Sequence, residues 1–590
     1  MQRLAVVLFV LVSTALLAQQ PKMPQPLEAT AREFMSEFFS FQPSAGTRAG
    51  YHEYDDQLED FSRERVRKQI ERYRSFERQF EVMDTKGWPE FYAADRDMML
   101  AFVRSRIFEL ETQRVWERDP DHYSAVVSDS TFLLMGRSFA PAEQRLRSLV
   151  ARQRKAPALF AQARQNLKNP PRVFTEIAID QLPGIISFFE KDVPAAFAGV
   201  KDEALIAEFR QTNAAVVRSM REYLDWLKRD LLPRSKGDFR LGAANYQKKL
   251  QLEEMVDVPL DRLLAAGYEN LRRNQKEFAR VGKLIDPAKT PAQILSAMEK
   301  DHPPADRLLQ EFRDRLTSLR EFTDQRKIVA TPERSLPIVK ETEPFMRALS
   351  SASMDTPGPF EQKAKEAYFS VTLPEPNWTP QQVEEHLAGF NYGSLNSTAI
   401  HEVFPGHYLQ YLWNDHVPSF VRQFLSLDLS AVGSHFSGTN VEGWAHYTEQ
   451  MMLDEGFGRN PALPEEKDKE FLELRLGQLQ DALLRNARYI VGVEMHTGKM
   501  TFDEGVAFFQ KEGYQTKANA FRETRRGTAD PTYLMYTLGK LQIIKLREDL
   551  RKQQGAKFDL QRFHDEFMRQ GVAPVSVIRK AMLGNSSPAL

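Results

Sequence analysis

Apolar residues recur at three- and four-residue steps through most of this chain, and that rhythm leaves few options besides a stack of long helices. The spacing predicts helices over 63–83, 95–111, 202–231, 259–281, 469–493 and 533–553. In the fifth, Leu472, Leu476, Leu479, Leu483, Ala487 and Ile490 form one stripe that needs a neighbouring helix to cover it. Strand-like text is scarce. Residues 335–341 and 367–373 are short apolar stretches ended by Pro344 and Pro374, which fits a small sheet in a mainly α protein. Residues 232–237 have linker chemistry and divide an N-terminal helical lobe, 19–235, from a second lobe, 236–590. A length of 590 residues alone suggests about three to four average domains. Helices on both sides of the motifs below point instead to one integrated, two-lobed body around a central cleft.

Residues 1–18 read as a signal peptide, with Arg3 in a short basic start, an apolar run over 4–17 and Ala18 ahead of a polar segment. That run is shorter than the ~18 apolar residues of a spanning helix, and no later segment is apolar enough. The expectation is a periplasmic or secreted chain with no membrane span after signal removal. Cysteine is absent. This excludes disulfides, thiol nucleophiles, iron–sulfur clusters and lipid attachment at this cleavage point, so any metal must sit on His, Asp and Glu. With 80 Lys+Arg against 81 Asp+Glu the net charge is -1, so the chain lacks a basic field for nucleic acid, and no nucleic-acid partner is expected.

Of the 11 histidines, His386, His401, His407, His416, His435 and His446 crowd into one short stretch, where an even spread would place about one. Inside it stands His401-Glu402-Val403-Phe404-Pro405-Gly406-His407. Two histidines four apart on a helix, with a Glu between, are the common zinc-hydrolase pattern. Here the spacing is six, which on a regular helix turns His407 about 120° away from His401. Pro405 and Gly406 allow the two extra residues to loop out as a bulge in a single helix. Unrelated histidines flanking a helix break are the competing reading. Downstream, Glu442, His446 and Glu449 lie at i, i+4 and i+7 on one helical face. Zinc (Zn²⁺) on His401, His407 and Glu442 accounts for one carboxylate, and Glu449 then orients an imidazole as an outer acceptor. His446 faces the site or packs in an interface.

These blocks, with 526–531 and 536–539, resemble the bacterial family called domain of unknown function 885. That family looks like a branch of the gluzincin metallopeptidases, distantly similar to thimet oligopeptidase, Taq-type carboxypeptidase and angiotensin-converting enzyme. The resemblance implies a zincin-like helical body with a small β-sheet beside the cleft, ligands at His401, His407 and Glu442, and Glu402 as general base acting on a peptide substrate. It also points to Tyr536 as donor to the developing oxyanion, with Tyr533 second. His496 is a weaker candidate for substrate or oxyanion contact, and otherwise a histidine stabilised at a helix C-terminus. Arg525 and Arg526 are candidates for a substrate's terminal carboxylate, and 367–373 for an edge strand that takes peptide main chain. Hydrolysis of a non-peptide amide or ester stays open. So does a non-catalytic exported scaffold, whose structural metal would add His446 or His435 as a fourth ligand.

Overall fold

The computed structural model describes residues 22–590 except 334, 343–346, 348–350, 376–377, 428–435 and 587–589. The signal segment 1–18 and His435 lie outside the described residues. Helices dominate: α1 (Gln25–Phe41), α2 (Arg63–Glu81), α3 (Glu90–Phe108), α4 (Ala142–Asn166), α5 (Glu203–Trp226) and α6 (Leu260–Ile285) precede the site. None of the described helices is long and apolar enough to cross a membrane. Around the site come α7 (Tyr392–Glu402), α8 (His407–Asn414), α9 (Gly438–Asp454), α10 (Lys469–His496), α11 (Lys517–Ala529) and α12 (Met535–Gln554). Helix α10 starts where the Asp468 side chain accepts the Phe471 N–H, and its predicted stripe from Leu472 to Ile490 is buried, largely against α6.

Three strands form the sheet: β1 (Ile338–Glu341), β2 (Ala352–Asp355) and β3 (Tyr368–Val371). Their order is β1-β3-β2, with β1 parallel and β2 antiparallel to β3. The expected edge strand over 367–373 is therefore the middle strand, with both of its edges already paired. Phe369 and Val371 explain the placement, because their side chains are fully buried and a central strand suits residues of this kind. The edge nearer the site is β2, which packs beside α7.

The hydrophobic core runs past residue 235 without a gap. Phe424 stands edge-on to Phe34, Phe38 and Phe102 at 6.2, 5.5 and 5.5 Å between ring centroids, joining α1 and α3 to the later helices. Beside these rings Arg422 Nε donates to Asp95 at 2.7 Å and the Ser419 hydroxyl donates to the same carboxylate at 2.6 Å. Arg422 also lies over the Phe91 ring at 3.6 Å. The 232–237 stretch is a short helical turn followed by a bridge from Gly237 to Pro171.

Candidate metal centre

The chain breaks between the two motif histidines. Asn391 caps α7 by accepting the N–H groups of Gly393 and Ser394, and the helix stops at Glu402. Proline at 405 has no N–H to continue it, and the Phe404–Pro405 peptide is cis. Helix α8 begins at His407. The expected bulge within one helix is thus replaced by two helices meeting at a sharp break. Gly406 is the hinge of closest approach: a Cβ there would lie 1.8 Å from the His401 carbonyl oxygen and 2.3 Å from that of Ile400. The break turns the second imidazole back, so the two rings meet edge to face with centroids 4.8 Å apart.

Helix α9 brings the third group. Glu442 Oε2 lies 3.3 Å from His401 Nε2 and 3.5 Å from His407 Nε2. All three ligand atoms fall within 4.8 Å of one another, the one such grouping among the described residues. Several contacts fix α9 in this position. The Glu254 carboxylate accepts the N–H groups of Gly438 and Thr439, at 3.0 and 2.9 Å, and caps the helix from a distant segment. Asn440 donates to the carbonyls of Gly571 and Ala573 and accepts from Gln410 of α8. Gly443 faces Gly539 of α12 so closely that a Cβ on Gly443 would lie 2.5 Å from the Gly539 Cα. Next along the chain, Trp444 Nε1 donates to the Pro405 carbonyl at 2.7 Å, tying α9 to the break itself.

A buried charged shell stands behind the ligands. His401 Nδ1 donates to Glu449 at 2.7 Å, which aims Nε2 toward Glu442 and His407. Arg485 binds the same Glu449 carboxylate at 3.0 Å, and His446 Nδ1 lies 3.0 Å from its other oxygen. Burial opposes charge on His401, but its contacts with Glu442 and Glu449 outweigh this and raise it to about 10. Burial likewise works to raise Glu442, yet the two imidazoles hold it well below the usual carboxylate range. Burial pushes His446 down to about 3, so it is neutral, and it serves Glu449 and does not join the grouping. Glu442 Oε2 is buried with no aligned hydrogen-bond donor. Two imidazole nitrogens and that oxygen, converging within 4.8 Å of one another, fit a zinc ion.

Glu402 follows His401 at the end of α7 and is half-buried. Tyr536, in the first turn of α12, stacks on the His401 ring with centroids 6.4 Å apart. Arg485 and Arg488 lie 5.5 and 5.4 Å from its ring centre, and Arg526 hydrogen-bonds its side chain. Burial, with the charge of Glu442, pushes Tyr536 up to about 12, so its hydroxyl keeps its proton.

Tyr533, His496 and Arg525 are not brought to the centre, and Arg526 reaches it only through Tyr536. Tyr533 is fully buried in a separate apolar cluster with Ala487, Val491 and Met495. His496 lies at the far end of α10, eleven residues and about 16 Å along the helix from Arg485. Its Nε2 donates to the Gly527 carbonyl at 2.7 Å. Arg525 is bound to Asp180 and Arg526 to Asp530, at 2.6 and 3.1 Å. Arg485 and Arg488 escaped the sequence reading, although two cations interrupting a leucine-rich helix beside Asp481 were the available signal.

No curated protein matches the chain. Among solved structures, a candidate lipoprotein of unknown function from Shewanella oneidensis is similar at 26% identity and TM-score 0.77, covering 94% of this chain and 99% of that one. A candidate lipoprotein from Colwellia psychrerythraea shares the fold at 17% identity and TM-score 0.77, covering 95% of this chain and 99% of that one. The model of the family described as bacterial protein of unknown function matches residues 43–582, and the chain therefore belongs to domain of unknown function 885.

Proposed function

We propose that the chain is an exported zinc-dependent metallopeptidase acting on short peptides. The observation that carries this reading is the convergence of His401 Nε2, His407 Nε2 and the unsatisfied Glu442 Oε2, with Glu449 orienting His401 from behind. Zinc held by these side chains supplies Lewis acidity to a water and to the scissile carbonyl. Glu402 takes the proton from the attacking water and passes it to the leaving amine. The Tyr536 hydroxyl donates to the carbonyl oxygen as negative charge develops on it, and Arg526 keeps the phenol in place. We assign β2, the strand beside α7, as the element that takes the substrate main chain by strand addition. A purely structural metal would fill a fourth position with protein, and His446 is instead committed to Glu449. Export is supported by the description of both structural neighbours as candidate lipoproteins.

The test is zinc content and peptide hydrolysis of the mature chain with and without Glu402→Gln. We expect about one zinc per chain in both proteins, and a loss of about 10²–10⁴-fold in turnover in the variant. Wild-type turnover in a zinc-loaded Glu402→Gln protein would refute the mechanism, and a wild type that binds no zinc would refute the centre.

A further inference from the structure

Residues 356–367 join β2 to β3 and run against the N-terminal lobe, far away in sequence. The Phe360 N–H donates to the Ala49 carbonyl at 2.9 Å, and the Tyr51 and Phe360 rings pack with centroids 5.2 Å apart. Gly358 passes so close to the helix Pro43–Ala49 that a Cβ there would lie 2.0 Å from the Arg48 carbonyl oxygen. Arg137 holds both ends of the connection. It pairs with Asp355, the last residue of β2, at 2.9 Å, and donates to the Glu366 carbonyl at 2.6 Å. Backbone bonds, ring contacts and a guanidinium keep their state across the ordinary pH range. One further contact in this seam, made by His52, does not.

His52 lies flat on Phe139, with ring centroids 3.9 Å and planes 14° apart. Its Nδ1 is 3.1 Å from Asp55 Oδ2 and its Nε2 is 3.0 Å from Glu361 Oε2. A neutral imidazole has one N–H, so it serves one carboxylate and turns a lone pair on the other; both bonds together need the imidazolium. Asp55 and Glu361 are buried, so water does not replace a lost donor freely. Glu361 also accepts the N–H groups of Lys363 and Ala364, at 2.7 and 3.3 Å, so the seat of this carboxylate sets the backbone around it. The other charges packed here are committed: Arg48 to Asp129, Arg152 to the Tyr54 carbonyl and the Thr47 hydroxyl, and Arg137 to Asp355. Burial opposes charge on both partners. Even so, Asp55 and Glu361 raise His52 above its usual value, and the Lys363 and Ala364 N–H groups with His52 hold Glu361 below its own. The paired state is therefore complete below the ordinary histidine value of 6.5 and is lost as pH rises through the raised one.

We infer that His52 is a pH-operated clasp: as imidazolium it ties Glu361 to Asp55 and holds the 356–367 connection, and with it the end of β2, against the N-terminal lobe, and loss of its proton loosens that hold. Its bearing on substrate rests on the metallopeptidase reading, in which β2 takes the peptide main chain, so that capture weakens as the medium turns alkaline. The test is amide hydrogen exchange of peptides spanning 358–366 in the full mature chain at about pH 6 and about pH 9, with rates corrected for the intrinsic effect of hydroxide. Wild type should lose at least about fivefold in protection over this interval. The Thr342 amide, which donates to Val371 from β1 to β3, serves as reference and should keep its protection. His52→Gln does not titrate, and its 358–366 peptides should be equally protected at both pH values. Unchanged protection in wild type, an equal loss at Thr342, or a loss of the same size in His52→Gln would overturn the clasp. If His52→Gln does not fold, the wild-type comparison with Thr342 still decides. No hydrolysis is read, so an absence of zinc-dependent cleavage would refute the metallopeptidase reading and leave the clasp standing.

Discussion

Gly406 shows how much of the centre depends on one missing methyl group. Both atoms a Cβ would strike are backbone oxygens of α7, at 1.8 and 2.3 Å, so no side-chain rotation relieves the clash. Gly406→Ala should move His407 off Glu442, lowering zinc affinity at least about tenfold and stability by about 2 kcal/mol or more. Zinc titration and thermal melting read the two effects separately, and an unchanged zinc affinity would mean that the break does not set the position of His407. Glu442 and Glu449 were legible in the sequence from residue type and helical phase, whereas His401 and His407 were legible from residue type and from the break that Pro405 and Gly406 allow between them. Tyr533 and Tyr536 were not separable by the same means. They stand three residues apart in one tail, and only packing decides that Tyr536 meets His401 while Tyr533 is sealed among Ala487, Val491 and Met495. Arg485 was hidden for a related reason: an arginine on a helix reads as a solvated charge until a buried carboxylate such as Glu449 is found against it.

At the level of elements, the long helices followed their apolar spacing closely, and the strand Ala352–Asp355 did not show itself. Ala-Ser-Met-Asp has no β-branched or aromatic residue, and its extended state comes from pairing with β3. Helix α9 gives a pH-dependent prediction. Burial pushes Glu254, its external cap, up to about 7. Between the ordinary Glu value near 4.5 and about 7 the folded chain holds a proton that the unfolded chain has released. Stability from this group is therefore full below about 4.5 and falls as pH rises through 7. Glu254→Gln keeps an acceptor for Gly438 and Thr439 without titrating. Relative to that variant, wild type should lose about 3 kcal/mol between pH 5 and 8, measured as denaturation midpoints across the series. Parallel pH profiles for the two proteins would show that Glu254 is ionised with no penalty in its buried setting.

For the whole molecule, the Asp95–Arg422 pair is the charged counterpart of the aromatic junction at Phe424, linking α3 to a segment more than 300 residues later. Both side chains are buried, at 0% and 1% exposure, so removing one strands the other. Arg422→Met should destabilise the chain by about 3–5 kcal/mol, and adding Asp95→Asn should recover part of that loss. Melting curves of the single and double variants check both statements; no recovery would place the cost in packing against Phe91 and not in the stranded carboxylate. The sequence suggested a division near 235, and composition alone could not show that the core ignores it, because Phe34, Phe102 and Phe424 become neighbours only through the fold. The contact of Gly443 with Gly539 carries a consequence for order in time. Glu442 is held against α12, and the Tyr536 side chain comes from that same helix, so the last pieces of the centre are made after nine-tenths of the 590 residues have been joined. A ribosome building this chain from its amino end releases His401 and His407 long before Gly539 exists. Assembly of the centre is in this sense a finishing step of synthesis, and a chain truncated before α12 carries the ligands without the wall that positions one of them.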